Sequence, residues 1–232
     1  MVHMLNKVYF FDMIVRYNIY MIITSHGAES IRIQFGDTII AFNPISKASK
    51  LKSGQFGSDI ALVSLRHPDM NGIENAGRGD KQPFVIKGPG EYEVKDVLIK
   101  GFPSVSHYGE IERINTIYTV VLEEMNIVYL GAIDTTELSS DIIESIDTVD
   151  ILFVPIGGAG VLSASESYKL ALKFEPSIII PIHYGDIGEK DALKTFLKES
   201  GDETVKPTDK LTLKKKDVAG KESEVMILSS SV

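Results

Sequence analysis

Three short apolar runs constrain this chain more than any other feature. Asp59–Ser64 (DIALVS), Asp150–Pro155 (DILFVP) and Ser177–Ile182 (SIIIPI) are compact, almost wholly apolar, and each runs straight into a polar, loop-forming segment. Runs of this length bounded by turn residues are the pattern of strands buried on both faces, so layers must cover each side of the sheet that holds them. In such architectures ligands gather beyond the carboxyl ends of the strands, where loops vary on a rigid base. His67, in the loop after the first run, and His183, at the end of the third, therefore fall on candidate site loops.

Around these runs the pattern is mixed. Ile22–Thr24, Ser30–Phe35 and Thr38–Phe42 read as strands, the last two joined by a hairpin at Gly36-Asp37. Further strands are predicted within Phe84–Gly101 around Gly88-Pro89-Gly90, at Asn115–Leu122 and at Ile127–Leu130. Helical spacing of Leu138, Ile142, Ile143 and Ile146 predicts a helix over Thr136–Ile146. A second helix is predicted from Ser163 to Lys173, with Glu166 completing a capping box. A third spans Glu189–Ser200, and strands at Leu211–Leu213 and Glu224–Leu228 close the chain. No long linker intervenes, so residues 21–232 read as one domain. Residues 1–20 read as an extension, either an added segment or an extra edge element. They are apolar and aromatic, but Asp12, Arg16 and Asn18 interrupt them before a signal-peptide core or membrane span is reached.

Charge and composition narrow the function classes. A formal net charge of −8 over 232 residues, with no basic stripe, argues against a nucleic-acid partner. Lys214–Lys216 reads as a solvated turn. The absence of cysteine excludes disulfides and thiol ligands and is what a reducing cytoplasm permits. Any metal must be held by His and carboxylates, and a membrane partner is not expected.

The candidate chemistry lies in a few side chains. His67 and Asp69 stand two apart after a buried strand, so both can face one site; they suit zinc, manganese or iron, and equally a turn with a side-chain cap. His183 reads either as a ligand or as a core histidine bonded to a carbonyl. His107 lies in a polar turn. Asp134 is placed as a bridging ligand or as the cap of the helix near Thr136, and the cap is favoured. The Gly157-Gly158 loop with Ser163 at a helix start is a candidate site for an anionic small molecule.

The order of these segments resembles the metallo-β-lactamase superfamily: Phe42-Asn43-Pro44, SLRHPDMN, a later histidine turn, YLGAIDTT, DILFVPIGG and PIHYGD. PGEYE (Pro89–Glu93) and NTIY (Asn115–Tyr118) point to its small bacterial hydrolase-like branch. The resemblance implies an α+β fold, a four-layer αββα sandwich. Intact members hold two metals with His-x-His-x-Asp-His and later His, Asp and His ligands, which supply a bound hydroxide. On that pattern the first histidine falls at Leu65, the second at His67, the aspartate at Asp69 and the third histidine at Met70. The next falls at or beside Ser106, where His107 fits only after a one-residue shift. The bridging aspartate falls at Ala132, two positions before Asp134, and the last histidine at His183. The usual Asp-Pro is Asn43-Pro44. The expectation is thus an eroded dinuclear site with little or no hydrolase activity and a binding or scaffold role. The alternative is a single zinc, iron or manganese ion on His67, Asp69, His183 and His107, hydrolysing a phosphoester, lactone or similar ester.

Overall fold

The computed structural model describes residues 20–231; the extension read over residues 1–20 lies, except for Tyr20, outside them. Two mixed sheets face each other. The first has the order β12-β1-β2-β3-β4-β5 and contains β1 (Met21–Ser25), β2 (Ile31–Phe35), β3 (Thr38–Phe42), β4 (Ile60–Leu62), β5 (Phe84–Ile86) and β12 (Leu211–Leu213). The second has the order β13-β11-β10-β9-β8-β7-β6: β6 (Gly90–Val94), β7 (Val97–Ser106), β8 (Arg113–Leu122), β9 (Met125–Tyr129), β10 (Ile151–Pro155), β11 (Ile178–Ile182) and β13 (Glu224–Val225). Antiparallel hairpins build one side of each sheet. The apolar runs β4, β10 and β11 pair in parallel with their neighbours, as strands covered on both faces do.

Alternation within the strands sorts the core. Ile40, Phe42, Ile60, Leu62, Tyr118, Tyr129, Phe153 and Ile180 point between the sheets and form one cluster. Their neighbours Val128, Leu152, Val154 and Ile179 point outward, where Leu170, Ala171, Phe174 and Phe196 cover them. Leu170 and Ala171 come from α2 (Ala164–Lys173), Phe174 is the C-cap of that helix, and Phe196 comes from α3 (Ala192–Ser200). Among the described residues the outer layer over the first sheet is thin. Ala41, Ala61 and Ala76 cluster there under Phe56 and Val85, with a single 3-10 turn at Ile73–Asn75. Small side chains on that face let the loop 43–59 lie close to the sheet. This is the α+β sandwich expected from the sequence.

Three local readings need correction. The first helix, α1, spans only Ser140–Ser145. Thr135 Oγ1 accepts from the Glu137 amide, a local turn that competes with helix, and Ser139 is extended at the N-cap position. Asp134 is therefore no cap. Lys214–Lys216 is not a solvated turn: Lys215–Val218 forms a short helix, α4, and the Lys215 ammonium lies 2.7 Å from Asp150. The last predicted strand is regular only over Glu224–Val225. The capping box is as expected, with Ser163 and Glu166 bonding reciprocally. No described helix is long and apolar enough to cross a membrane.

Candidate functional site

The carboxyl ends of β4, β7, β9, β10 and β11 deliver their loops to one edge of the sandwich. His183 stands one residue past β11 with φ +59, in the left-handed region that few residues other than glycine adopt. It is fully buried, and Nδ1 lies 2.6 Å from Oε1 of an equally buried carboxylate, Glu29, in the β1–β2 turn. Glu29 is in turn anchored: Asn43 Nδ2 donates to its Oε2 at 2.7 Å and Tyr129 Oη donates to its backbone carbonyl at 2.6 Å. With Nδ1 committed to Glu29, the other ring nitrogen faces the interior. Nε2 has no accessible surface and no hydrogen-bond partner.

Gly157 explains how the ring gets so close to the next loop. A Cβ at this position would meet the His183 carbonyl oxygen at 2.3 Å and its Cδ2 at 2.6 Å. Gly157 thus serves close packing. Ser163 is taken up by Glu166, whose carboxylate sits at the N-terminus of α2 and accepts from the Ser163 amide and hydroxyl. Of the residues read as an anion site, Gly157 packs on His183 and Ser163 is bonded to Glu166.

His67 accepts a hydrogen bond at Nδ1 from the Asp69 amide, 3.2 Å, and lies 3.4 Å from the Asp69 carboxylate. Burial pulls its pKa down; Asp69 opposes that, while Arg113 and His183 add to it. Asp69 is satisfied on both oxygens, by Ser49 Oγ at 2.5 Å and by Tyr108 Oη at 2.7 Å. The ring of Tyr108 stands perpendicular to both histidines, its centroid 4.9 Å from that of His67 and 4.9 Å from that of His183. Burial and the Asp69 carboxylate raise the phenol pKa, so the hydroxyl is a proton donor at any physiological pH.

His107 and Asp134 form a separate pair. The Asp134 carboxylate accepts from the His107 amide at 2.9 Å and contacts Nδ1, and the imidazole is raised in pKa by that bond. His107 is exposed and turns its Nε2 toward Glu112, 3.6 Å away. The candidate residues therefore split into three groups: His67 with Asp69, His107 with Asp134, and His183 with Glu29. Among the described residues no three His, Asp or Glu side chains are grouped so as to hold a metal ion. Leu65, Met70, Ala132 and Val161 form a small buried cluster beside them, packed against Tyr108.

A family model described as β-lactamase superfamily domain matches residues 22–183. The chain belongs to this superfamily. Among its relatives is a metal-dependent hydrolase from Natranaerobius thermophilus, 23% identical over 216 residues, which cover 76% of this chain and 95% of the relative. A Thermotoga maritima protein described as a candidate Zn-dependent hydrolase superposes with a TM-score of 0.71 at 23% identity, covering 90% of this chain and 98% of that one. A candidate metal-dependent hydrolase from Parabacteroides distasonis follows at 0.62 and 18%, covering 91% and 94%. At these identities the structures establish the shared fold.

Within the superfamily resemblance, the three positions where ligands were expected and apolar residues stand instead, Leu65, Met70 and Ala132, are the ones that meet in the buried cluster. The motifs that carried the likeness have mechanical roles. Asn115 of NTIY donates to the Leu130 carbonyl and accepts from the Ala132 amide, fixing the loop after β9. Tyr118 donates across the sandwich to the Val63 carbonyl. Sequence reasoning missed Glu29 and Ser49. Glu29 sits in a Gly-Ala-Glu-Ser turn where a surface carboxylate is the ordinary reading, and only its contact with residue 183, far along the chain, reveals it.

Proposed function

We propose that this chain is a superfamily member whose dinuclear metal centre has eroded, leaving little or no hydrolase activity and a binding or scaffold role in the cytoplasm. The observation that carries the reading is the apolar cluster of Leu65, Met70, Ala132 and Val161 at the positions that ligands would occupy. Aliphatic side chains offer no donor atoms, and a thioether is a poor partner for hard divalent ions. Removing two cations from a site of histidines and carboxylates leaves buried charge unless apolar groups replace some of the ligands, and that is the replacement seen in this sequence. A bound partner would be a small molecule rather than nucleic acid, given the net charge of −8.

One observation favours the second reading, a single-metal hydrolase of a phosphoester, lactone or similar ester: relatives carry the description metal-dependent hydrolase. Such a site would draw on His67, Asp69 and His183, with Asp134 and His107 held apart from them as a pair. A catalytic zinc takes three protein ligands plus water; both Asp69 oxygens are engaged by Ser49 and Tyr108, whereas His183, held at Nδ1 by Glu29, keeps Nε2 without a partner. Elemental analysis of protein purified without chelator, after dialysis against zinc, iron(II) and manganese(II), decides between the two. The expected content is far below one ion per chain, with thermal stability indifferent to EDTA. One tightly bound ion per chain, lost in H183A and D69A, would establish the single-metal hydrolase instead.

A further inference from the structure

A cation in a cleft of this kind does two mechanical things: it neutralises carboxylate oxygens, and it ties together loops arriving from different strands. Here hydrogen bonds from Ser49 and Tyr108 satisfy the Asp69 oxygens in place of a positive charge, and Tyr108 ties the loops together. Tyr108 Oη donates to Asp69 in the loop after β4, and the Tyr108 ring stands between His67 of that loop and His183 at the end of β11. Its backbone is clamped from two sides. Arg113 Nη1 donates to the Tyr108 carbonyl at 2.7 Å, and the Tyr108 amide donates to Ser106 Oγ at 3.2 Å. From the opposite side Gly160, with φ +97, approaches so closely that a Cβ there would lie 2.8 Å from the Tyr108 Cα. The ring also rests on the cluster of Leu65, Met70, Ala132 and Val161, and the neighbouring His183 Nε2 is shut off from solvent.

We infer that Tyr108 is an internal replacement for a bound cation: its hydroxyl holds Asp69, and its ring joins the loops after β4, β7 and β11 into one closed centre. This rests on the metal-free reading above and adds to it the group that took over the organising role. The hydroxyl and the ring do different jobs. The hydroxyl satisfies a largely buried carboxylate, and the ring supplies the volume that keeps the two imidazoles apart.

The test uses the full chain in EDTA. Urea unfolding is measured for wild type, Y108F, D69A and the double variant. The folding constant is expected to fall about tenfold in Y108F, as for loss of a hydrogen bond to a charged acceptor, and the double variant is expected to be no worse than D69A alone. Additive losses would overturn the inference. Y108G is then titrated with phenol and, separately, toluene. Phenol should raise the melting temperature well above what toluene does, because only phenol restores the donor to Asp69. Equal effects, or none, would overturn it as well. If Y108G does not fold, the cycle with the conservative Y108F decides alone. Zinc added to wild type gives a separate answer: stoichiometric binding with a raised melting temperature breaks the metal-free reading, whereas an additive cycle removes only the role of Tyr108.

Discussion

Between Glu29 and Ser64 the Asn43 side chain must donate twice through Nδ2, at 2.7 and 2.8 Å, and accept from the Ser64 amide at Oδ1. An aspartate at this position, the usual residue of the resembling motif, keeps the acceptor and loses both donors. Worse, it would set a second carboxyl group against the buried Glu29. The departure at residue 43 and the glutamate at 29 are thus one arrangement, since each makes sense of the other. Asn also tolerates the left-handed backbone found here, φ +42. N43D is expected to destabilise the chain by about 3 kcal/mol, as when a buried polar pair loses a partner. Adding E29Q should recover part of that loss, because a neutral amide no longer repels the new carboxylate. Chemical denaturation of both variants at neutral pH measures it. A stable N43D would mean that the Glu29 carboxyl does not depend on the Asn43 donor.

At the scale of elements, Asp59 shows how separate strands are fastened at the edge remote from the cleft. Its carboxylate accepts from Lys81 at 2.7 Å, from Lys95 at 2.5 Å and from the Ile39 amide at 2.9 Å, linking the entrance of β4 to β3 and to the β6–β7 turn. Burial alone would push this carboxyl up, but the two ammonium groups and the amide outweigh it and hold the pKa at about 2, below the ordinary 3.8. A depressed folded-state pKa gives stability that is complete above the unfolded value and is lost as pH falls through the folded one. The difference between wild type and D59N should therefore be about 1–2 kcal/mol at pH 7 and shrink progressively from pH 4 toward pH 2. Both lysines are half exposed or more, so high salt should reduce it too. Urea midpoints across that pH range check the sign; a difference that grew on acidification would refute the assignment. The elements around this anchor were unevenly legible. The runs β4, β10 and β11 announce themselves because burial on both faces leaves no polar position in the strand. The start of α1 was not legible, because Thr135 and Thr136 adjoin a periodic apolar pattern while the Thr135 side chain forms a turn instead. The placement of His67 and Asp69 in the loop after β4 and of His183 just past β11 was legible from the buried runs that precede them. Glu29 was hidden because its meaning depends on a contact across the sandwich, which no local pattern encodes.

For the whole molecule, the question is what makes two sheets unfold as one body. Tyr118 on β8 and Tyr129 on β9 are direct cross-strand partners on the inner face of the second sheet, and both are fully buried. Each reaches over to a backbone carbonyl attached to the first sheet: Tyr118 to Val63 after β4 at 2.9 Å, Tyr129 to Glu29 in the β1–β2 turn at 2.6 Å. Between the sheets the rings of Phe42 and Tyr129 stack with centroids 4.7 Å apart, and Phe153 packs tilted against both. A phenylalanine at either tyrosine keeps this packing and deletes the hydroxyl's bonds to the first sheet. Y118F and Y129F are each expected to lower stability by about 1–2 kcal/mol, because a buried carbonyl is left without its donor. Each hydroxyl has a second acceptor, the Ile86 carbonyl at 3.3 Å for Tyr118 and the Glu29 carboxylate at 3.4 Å for Tyr129; Y129F should be the larger, since its second acceptor is the charged group that orients His183. If the sandwich is one cooperative unit, thermal unfolding of each variant stays a single transition with the same curve by far-ultraviolet and near-ultraviolet dichroism, only shifted. If the sheets were separately stable, weakening the bridge would split the transition in two. The apolar interior argues for the first outcome, because neither sheet has another surface on which to bury Ile40, Phe42, Tyr129 and Phe153 once its partner is gone.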